Sequence, residues 1–126
     1  MSKLKVIQLL PELNIGGVER GTKDFSSALV ERGHESIVIS NGGLFEHDIV
    51  KDGARHIKIP IHKKSLFSLL LSKKLRTVYE EEKPDIVHVR SRMPAWINFY
   101  AFKGLIKKPI LISTFHGLYS TPVYSQ

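Results

Sequence analysis

Residues 5–40 read KVIQLLPELNIGGVERGTKDFSSALVERGHESIVIS, and the three segments within them decide the fold class. Lys5 to Leu10 is a short, nearly continuous apolar run, the pattern of a strand buried on both faces. Pro11 stops it. After the polar turn Asn14 to Gly17, the positions Val18, Thr22, Phe25, Leu29 and Val30 recur at helical spacing, and Gly33 is placed to cap that helix in the left-handed conformation. Ser36 to Ser40 is rich in β-branched residues and ends at Asn41-Gly42-Gly43, so a second strand and a turn follow.

The alternation continues outward. Leu44 to Lys51 makes one or two helical turns, and His56 to Pro60 alternates apolar and polar residues like a half-exposed strand. Ser65 to Glu82 carries Phe67, Leu70, Leu71, Leu75 and Val78 on one helical face, with Ser65 as its cap. Lys83-Pro84-Asp85 breaks that helix before a fourth strand, Ile86 to Val89. Pro94 suits the first turn of a helix running to about Leu105. Pro109 to Phe115 reads as a fifth, buried strand closed by His116-Gly117. Strands alternating with helices on short connections predict an α/β doubly wound parallel sheet, Rossmann-like, with strand order 3-2-1-4-5. Ligands then bind at the carboxyl ends of the strands, where Asn14 to Glu19, Arg90 to Met93 and His116-Gly117 gather.

At 126 residues, with 42% hydrophobic content, the chain supplies one ordinary core. It contains no cysteine, which excludes a disulfide framework and thiolate metal sites and fits an intracellular protein. The amino-terminal apolar run is too short for a secretory signal, and no run of about 20 apolar residues spans a bilayer. Nineteen Lys plus Arg against twelve Asp plus Glu give a formal charge of +7, which suits an anionic partner. The paired lysines lack interleaved aromatic residues, so they read as a solvated face and not as a nucleic-acid surface.

The glycines at 16, 17 and 21 do not form G-x-G-x-x-G, and no Walker A loop is present. Gly16-Gly17 either permits a tight strand-to-helix turn or opens the helix amides to a phosphate or carboxylate. His116 at a strand end can contact a sugar hydroxyl or phosphate, act as a base, or simply bond to backbone. His88 lies within a strand, where a hydrogen-bonded core histidine is the better reading. His34, His47, His56 and His62 show no ligand spacing with acidic partners. Arg90 and Arg92 either grip an anion or pair with a carboxylate such as Glu19 or Asp85. Glu80 to Glu82 reads as a solvated face.

LNIGGVERGTKDFSSALVERGHES, KPDIVHVRSRMPAW and PILISTFHGLYS together resemble the amino-terminal domain of the retaining glycosyltransferases of family 4, which have the GT-B fold. SRMPAW and TFHG further resemble the bacterial subgroup that builds cell-surface glycans, including lipopolysaccharide cores. The resemblance implies a nucleotide-sugar donor, a glycan or glycolipid acceptor, and no bound metal or other cofactor. It places the GGVE turn (Gly16, Gly17, Val18 and Glu19) near the donor diphosphate, His116 with Gly117 at the transferred sugar, and Arg90 and Arg92 toward an acidic acceptor. Many relatives have histidine where this chain has Arg90, so that histidine's role does not carry over. The resemblance implies a cytoplasmic protein, with peripheral contact at the inner face of the membrane. Residues 1–126 are expected to form a single, incomplete amino-terminal domain, inactive alone, whose donor-binding half is missing, supplied in trans or replaced by a homodimer contact. The competing readings are a flavodoxin-like binding module for a phosphate-bearing ligand or partner chain, and a sugar epimerase of the same architecture.

Overall fold

Parallel neighbours cannot be joined by a hairpin, and the chain meets that constraint with a helix after each of its first four strands. The computed structural model describes residues 3–13, 17–61 and 68–114. Its strands are β1 (Lys5–Leu9), β2 (Glu35–Ser40), β3 (Arg55–Lys58), β4 (Ile86–Val89) and β5 (Ile110–Ser113). They form one parallel sheet in the predicted order β3-β2-β1-β4-β5. The crossovers are α1 (Gly17–Glu31), α2 (Glu46–Lys51), α3 (Ser68–Glu82) and α4 (Arg92–Lys103).

Strand alternation divides the sheet into two faces. Ile7, Leu9, Ile37, Ile39, Val87 and Val89 point to one side and pack with Leu75 and Tyr79 of α3 and Ile97 and Ala101 of α4. On the other side Leu10, Leu13, Val38, Ile49 and Ala54 form a second cluster, with Val18, Val30 and Phe45 against it. The helix expected to end at Gly33 does so. Gly33 has φ 84°, and the His34 amide donates to the Leu29 carbonyl at 2.9 Å, which satisfies a carbonyl left open at the helix end. Lys83 turns to φ 51° as α3 stops before Pro84.

The end of the sheet away from the predicted ligand rim is tied by charge. The Asp85 carboxylate accepts from the Lys5 amide at 2.8 Å. Lys5 Nζ donates to the Glu82 carbonyl at 2.8 Å and approaches its carboxylate at 3.2 Å. Arg55 reaches the same carboxylate through both terminal nitrogens. Glu82 is therefore a clamp and not the solvated residue its acidic run suggests. Its hydrogen bond from Arg55, with help from Lys5, holds its pKa below the ordinary carboxylate value.

Two other expectations meet the structure differently, and a third falls outside it. Gly17 is the first residue of α1 and not part of the turn before it. The Ser65 cap lies outside the described residues. The expected burial of the fifth strand fails: Ile110 is 65% exposed, Leu111 47% and Ile112 42%. Apolar sequence alone suggested an inner strand, but β5 has β4 on one side only and is an edge of the described sheet.

Candidate functional site

The carboxyl end of the sheet brings together residues far apart in sequence. The Arg90 amide donates to the Leu9 carbonyl at 2.9 Å, joining the ends of β4 and β1, and the Thr114 amide bonds the Val89 carbonyl at 2.9 Å. Arg90 then turns its half-buried side chain toward α1. Its Nε donates to Gln8 Oε1 at 2.8 Å, and its guanidinium lies 5.9 Å from the Phe25 ring centre. Gln8 is completely buried, and its amide nitrogen donates to the Thr22 carbonyl at 3.2 Å. Both ends of the Gln8 amide are thus used, one to hold α1 and the other to aim Arg90.

No carboxylate pairs with Arg90 among the described residues. Asp85 stands at the other end of β4 and accepts from Lys5. Glu19 sits in the first turn of α1, where its charge suits the helix dipole. Of the two readings of Arg90, carboxylate pairing with Glu19 or Asp85 is therefore excluded. Burial lowers the Arg90 pKa from its ordinary value, yet a guanidinium stays charged in proteins. A desolvated cation with no counter-ion among the described residues carries a cost that an incoming anion would offset. Its two terminal nitrogens form the fork that matches carboxylate or phosphate.

Gly17 opens the amino end of α1, about 8 to 12 Å of helix rise from Thr22 and Phe25. Its φ is not in the left-handed region, and a Cβ placed on it would meet nothing within 4 Å. Neither backbone conformation nor packing among the described residues demands glycine there. Val18 packs its side chain against the second core cluster. Arg92 begins α4. Gly16, His116 and Gly117 lie outside the described residues. His88 Nε2 is 3.0 Å from Thr114 Oγ1, and its ring meets Phe25 edge-on at 6.4 Å, the hydrogen-bonded state expected of it.

The loop after β2 closes the rim on the opposite side from Arg90. The Leu13 amide donates to the Gly42 carbonyl at 2.8 Å, the Phe45 amide to the Leu13 carbonyl at 2.8 Å, and the Asn41 amide to the Pro11 carbonyl at 2.8 Å. Arg20 of α1 stacks 5.6 Å from the Phe45 ring centre. Beneath this loop Ser40 Oγ is 2.7 Å from His56 Nε2 and accepts from the Gly42 amide at 2.9 Å. His56 Nδ1 lies 3.7 Å from a Glu46 carboxylate oxygen.

The family model for glycosyltransferase family 4 matches residues 15–126. The chain belongs to glycosyltransferase family 4. A glycosyltransferase of known structure from Rickettsia africae ESF-5 superposes with a TM-score of 0.81 at 36% identity, covering 94% of this chain and 31% of that one. The Bacillus anthracis protein N-acetyl-alpha-D-glucosaminyl L-malate synthase is 32% identical over 122 residues, which cover 91% of this chain and 32% of that protein. The family 4 chain thus spans about a third of the length of either relative.

In this family 4 domain, sequence reasoning missed Gln8, Ser40 and His56. Gln8 sits alone as a polar residue in the apolar run VIQLL, and that interruption was the available signal. Nothing local marked His56, whose partners Ser40 and Glu46 lie on β2 and α2. Among the described residues no group of three or more His, Asp or Glu side chains is placed to hold a metal ion, and no helix is long and apolar enough to cross a membrane. A cavity of about 360 Å³ opens at the other end of the sheet, between Lys83, Asp85, Ile106 and Ile110, away from this rim.

Proposed function

We propose that the chain is the acceptor-side half of a retaining glycosyltransferase that moves a sugar from a nucleotide-sugar to an acidic acceptor, a cell-envelope glycan or glycolipid. The observation that carries this reading is Arg90: half-buried, aimed by Gln8 and without a carboxylate among the described residues. In the transfer, the bond from the anomeric carbon to the donor phosphate breaks. The acceptor hydroxyl forms the new bond to that carbon and gives up its proton. Gly16 and Gly17 leave the amides at the start of α1 open to the donor diphosphate, and Val18 and Glu19 follow in the first turn of the helix. Arg90, with Arg92, orients the acceptor's carboxylate or phosphate, and His116 with Gly117 meets the transferred sugar.

These 126 residues hold one wall of the site, and the facing wall comes from a donor-binding domain, covalently joined or acting in trans. Alone they position only half of the reactants, so turnover is not expected from them. The setting is cytoplasmic, at the inner membrane face when the acceptor is a glycolipid. The Bacillus relative's name specifies L-malate, a dicarboxylate, which offers Arg90 the same chemistry in a small acceptor.

Chemical-shift mapping tests the reading. Titration with inorganic pyrophosphate should move Gly17, and L-malate or a phosphorylated glycan should move the Arg90 side chain, with the Arg90→Gln variant silent to both acceptors. A response confined to scattered lysines would sink it. Turnover of a nucleotide-sugar by the purified chain would refute the half-site view. Binding without turnover after adding a matching donor-binding domain would favour the non-catalytic module.

A further inference from the structure

Ser40, His56 and Glu46 stand in the order of a hydrolase triad, but their surroundings give them another task. Ser40 is completely buried, and its oxygen already accepts the Gly42 amide. A nucleophile needs a free line of approach, and this hydroxyl has none. Gly42 N–H can only donate, so Ser40 Oγ accepts it. The Glu46 carboxylate 3.7 Å from His56 Nδ1 favours a proton on that nitrogen, and Nε2 then accepts from the Ser40 hydroxyl.

Gly42 is the joint this arrangement holds. Its φ is 97°, a backbone conformation that favours glycine, and the Glu46 side chain folds back over it. One of its polar groups binds Ser40, and the other binds Leu13. Leu13 is completely buried and is the last described residue before the chain enters α1 at Gly17.

We propose that Ser40 and His56 are positioning residues of the candidate site: the His56 ring fixes the Ser40 hydroxyl, which fixes Gly42, so that Gly42 and Phe45 clamp Leu13 and set the entry of the chain into α1. The ligand role of that entry rests on the reading in the preceding subsection; the clamp itself does not. The pair touches no substrate and acts through the loop.

Amide hydrogen exchange on the 126-residue chain tests the clamp. In Ser40→Ala, protection at Leu13 and Gly42 should fall roughly tenfold or more, the expected effect of orphaning a buried donor. Leu10 and Arg90, whose amides bond the Ile39 and Leu9 carbonyls, should keep theirs. Ser40→Thr, which retains the hydroxyl, should restore the native pattern. A uniform loss of protection, or none, would overturn the proposal. If Ser40→Ala gives an undispersed spectrum, His56→Gln carries the same comparison; both variants unfolding would mark the pair as general core residues and also overturn it.

A pyrophosphate titration followed at Gly17 separates the two ideas. Weaker binding in Ser40→Ala, recovered in Ser40→Thr, supports both. A loosened Leu13 with no response of the wild-type chain to pyrophosphate leaves the clamp and removes the ligand reading. Unchanged binding despite a loosened Leu13 overturns the positioning role.

Discussion

The two faces of the sheet are built on different physics. The side covered by α3 and α4 is dry: Ile7, Leu9, Ile37, Ile39, Val87 and Val89 meet Leu75, Ile97 and Ala101, and its buried polar groups are few and paired, such as the Tyr79 hydroxyl with Asn98. The side covered by α1 and α2 buries Gln8, Ser36 and Ser40 from the strands and Thr22 and Ser26 from α1. There Ser26 and Ser36 bond each other at 2.6 Å, Gln8 holds Thr22 and Arg90, and Ser40 holds His56 and Gly42. Apolar contact is non-directional and supplies stability, whereas buried hydrogen bonds demand particular angles and supply placement. Arg90 and the start of α1 attach to the polar face, whereas Arg92 opens α4.

The comparison can be broken most forcefully on the dry side. Ile97→Ala should cost about 2–5 kcal/mol in urea unfolding, the usual range for truncating a buried isoleucine, while leaving the amide shifts of Gly17 and Leu13 near native. A loss of the rim signals at retained fold would mean that the faces are not separable. Gln8→Leu comes next, at about 1–3 kcal/mol, because it strands the half-buried Arg90 Nε. Adding Arg90→Met to it should recover part of that loss, since removing both partners of a buried bond is gentler than removing one. Equal stability of the single and double variants would show that Gln8 does not hold Arg90.

Acidification probes the same face more gently. Burial, opposed in part by Glu46 of α2 and aided by Lys58 of β3, holds the His56 pKa below 6.5. The unfolded chain therefore takes up this proton first as pH falls. His56's contribution to stability is intact above about pH 6.5 and is lost as pH drops through its depressed folded value. His56→Gln should flatten that part of the stability profile, and an unchanged profile would remove His56 as its source. Arg55→Ala should have the smallest effect, about 0–1 kcal/mol, because Arg55 is 52% exposed and solvent screens its bond to Glu82. A larger loss in thermal unfolding would mean that the far end of the sheet is held by charge more than by packing.

Much of this was legible in the chain itself. The β1-α1-β2 unit follows from one apolar run, one helical repeat and a glycine cap, all local signals, and Pro84 marked the end of α3. The exposure of β5 was not legible, because an apolar run reads alike in an edge strand and an inner one. Arg90 was anticipated from topology at the carboxyl end of β4, next to β1. Its aim was not: Arg90 and Gln8 are 82 residues apart, and no spacing rule links them.

The sequence by itself determined the order of strands and helices, the parallel sheet and the family, since periodicity, caps and short motifs are carried by neighbouring residues. Only the tertiary structure decided that Arg90 is held by an amide and not by a carboxylate, that Gly17 is free of packing demands among the described residues, and that Ser40, His56 and Gly42 join into one clamp. Hydrogen bonds form between residues adjacent in space, and the crossovers that make these residues adjacent exist only once the sheet has closed its order.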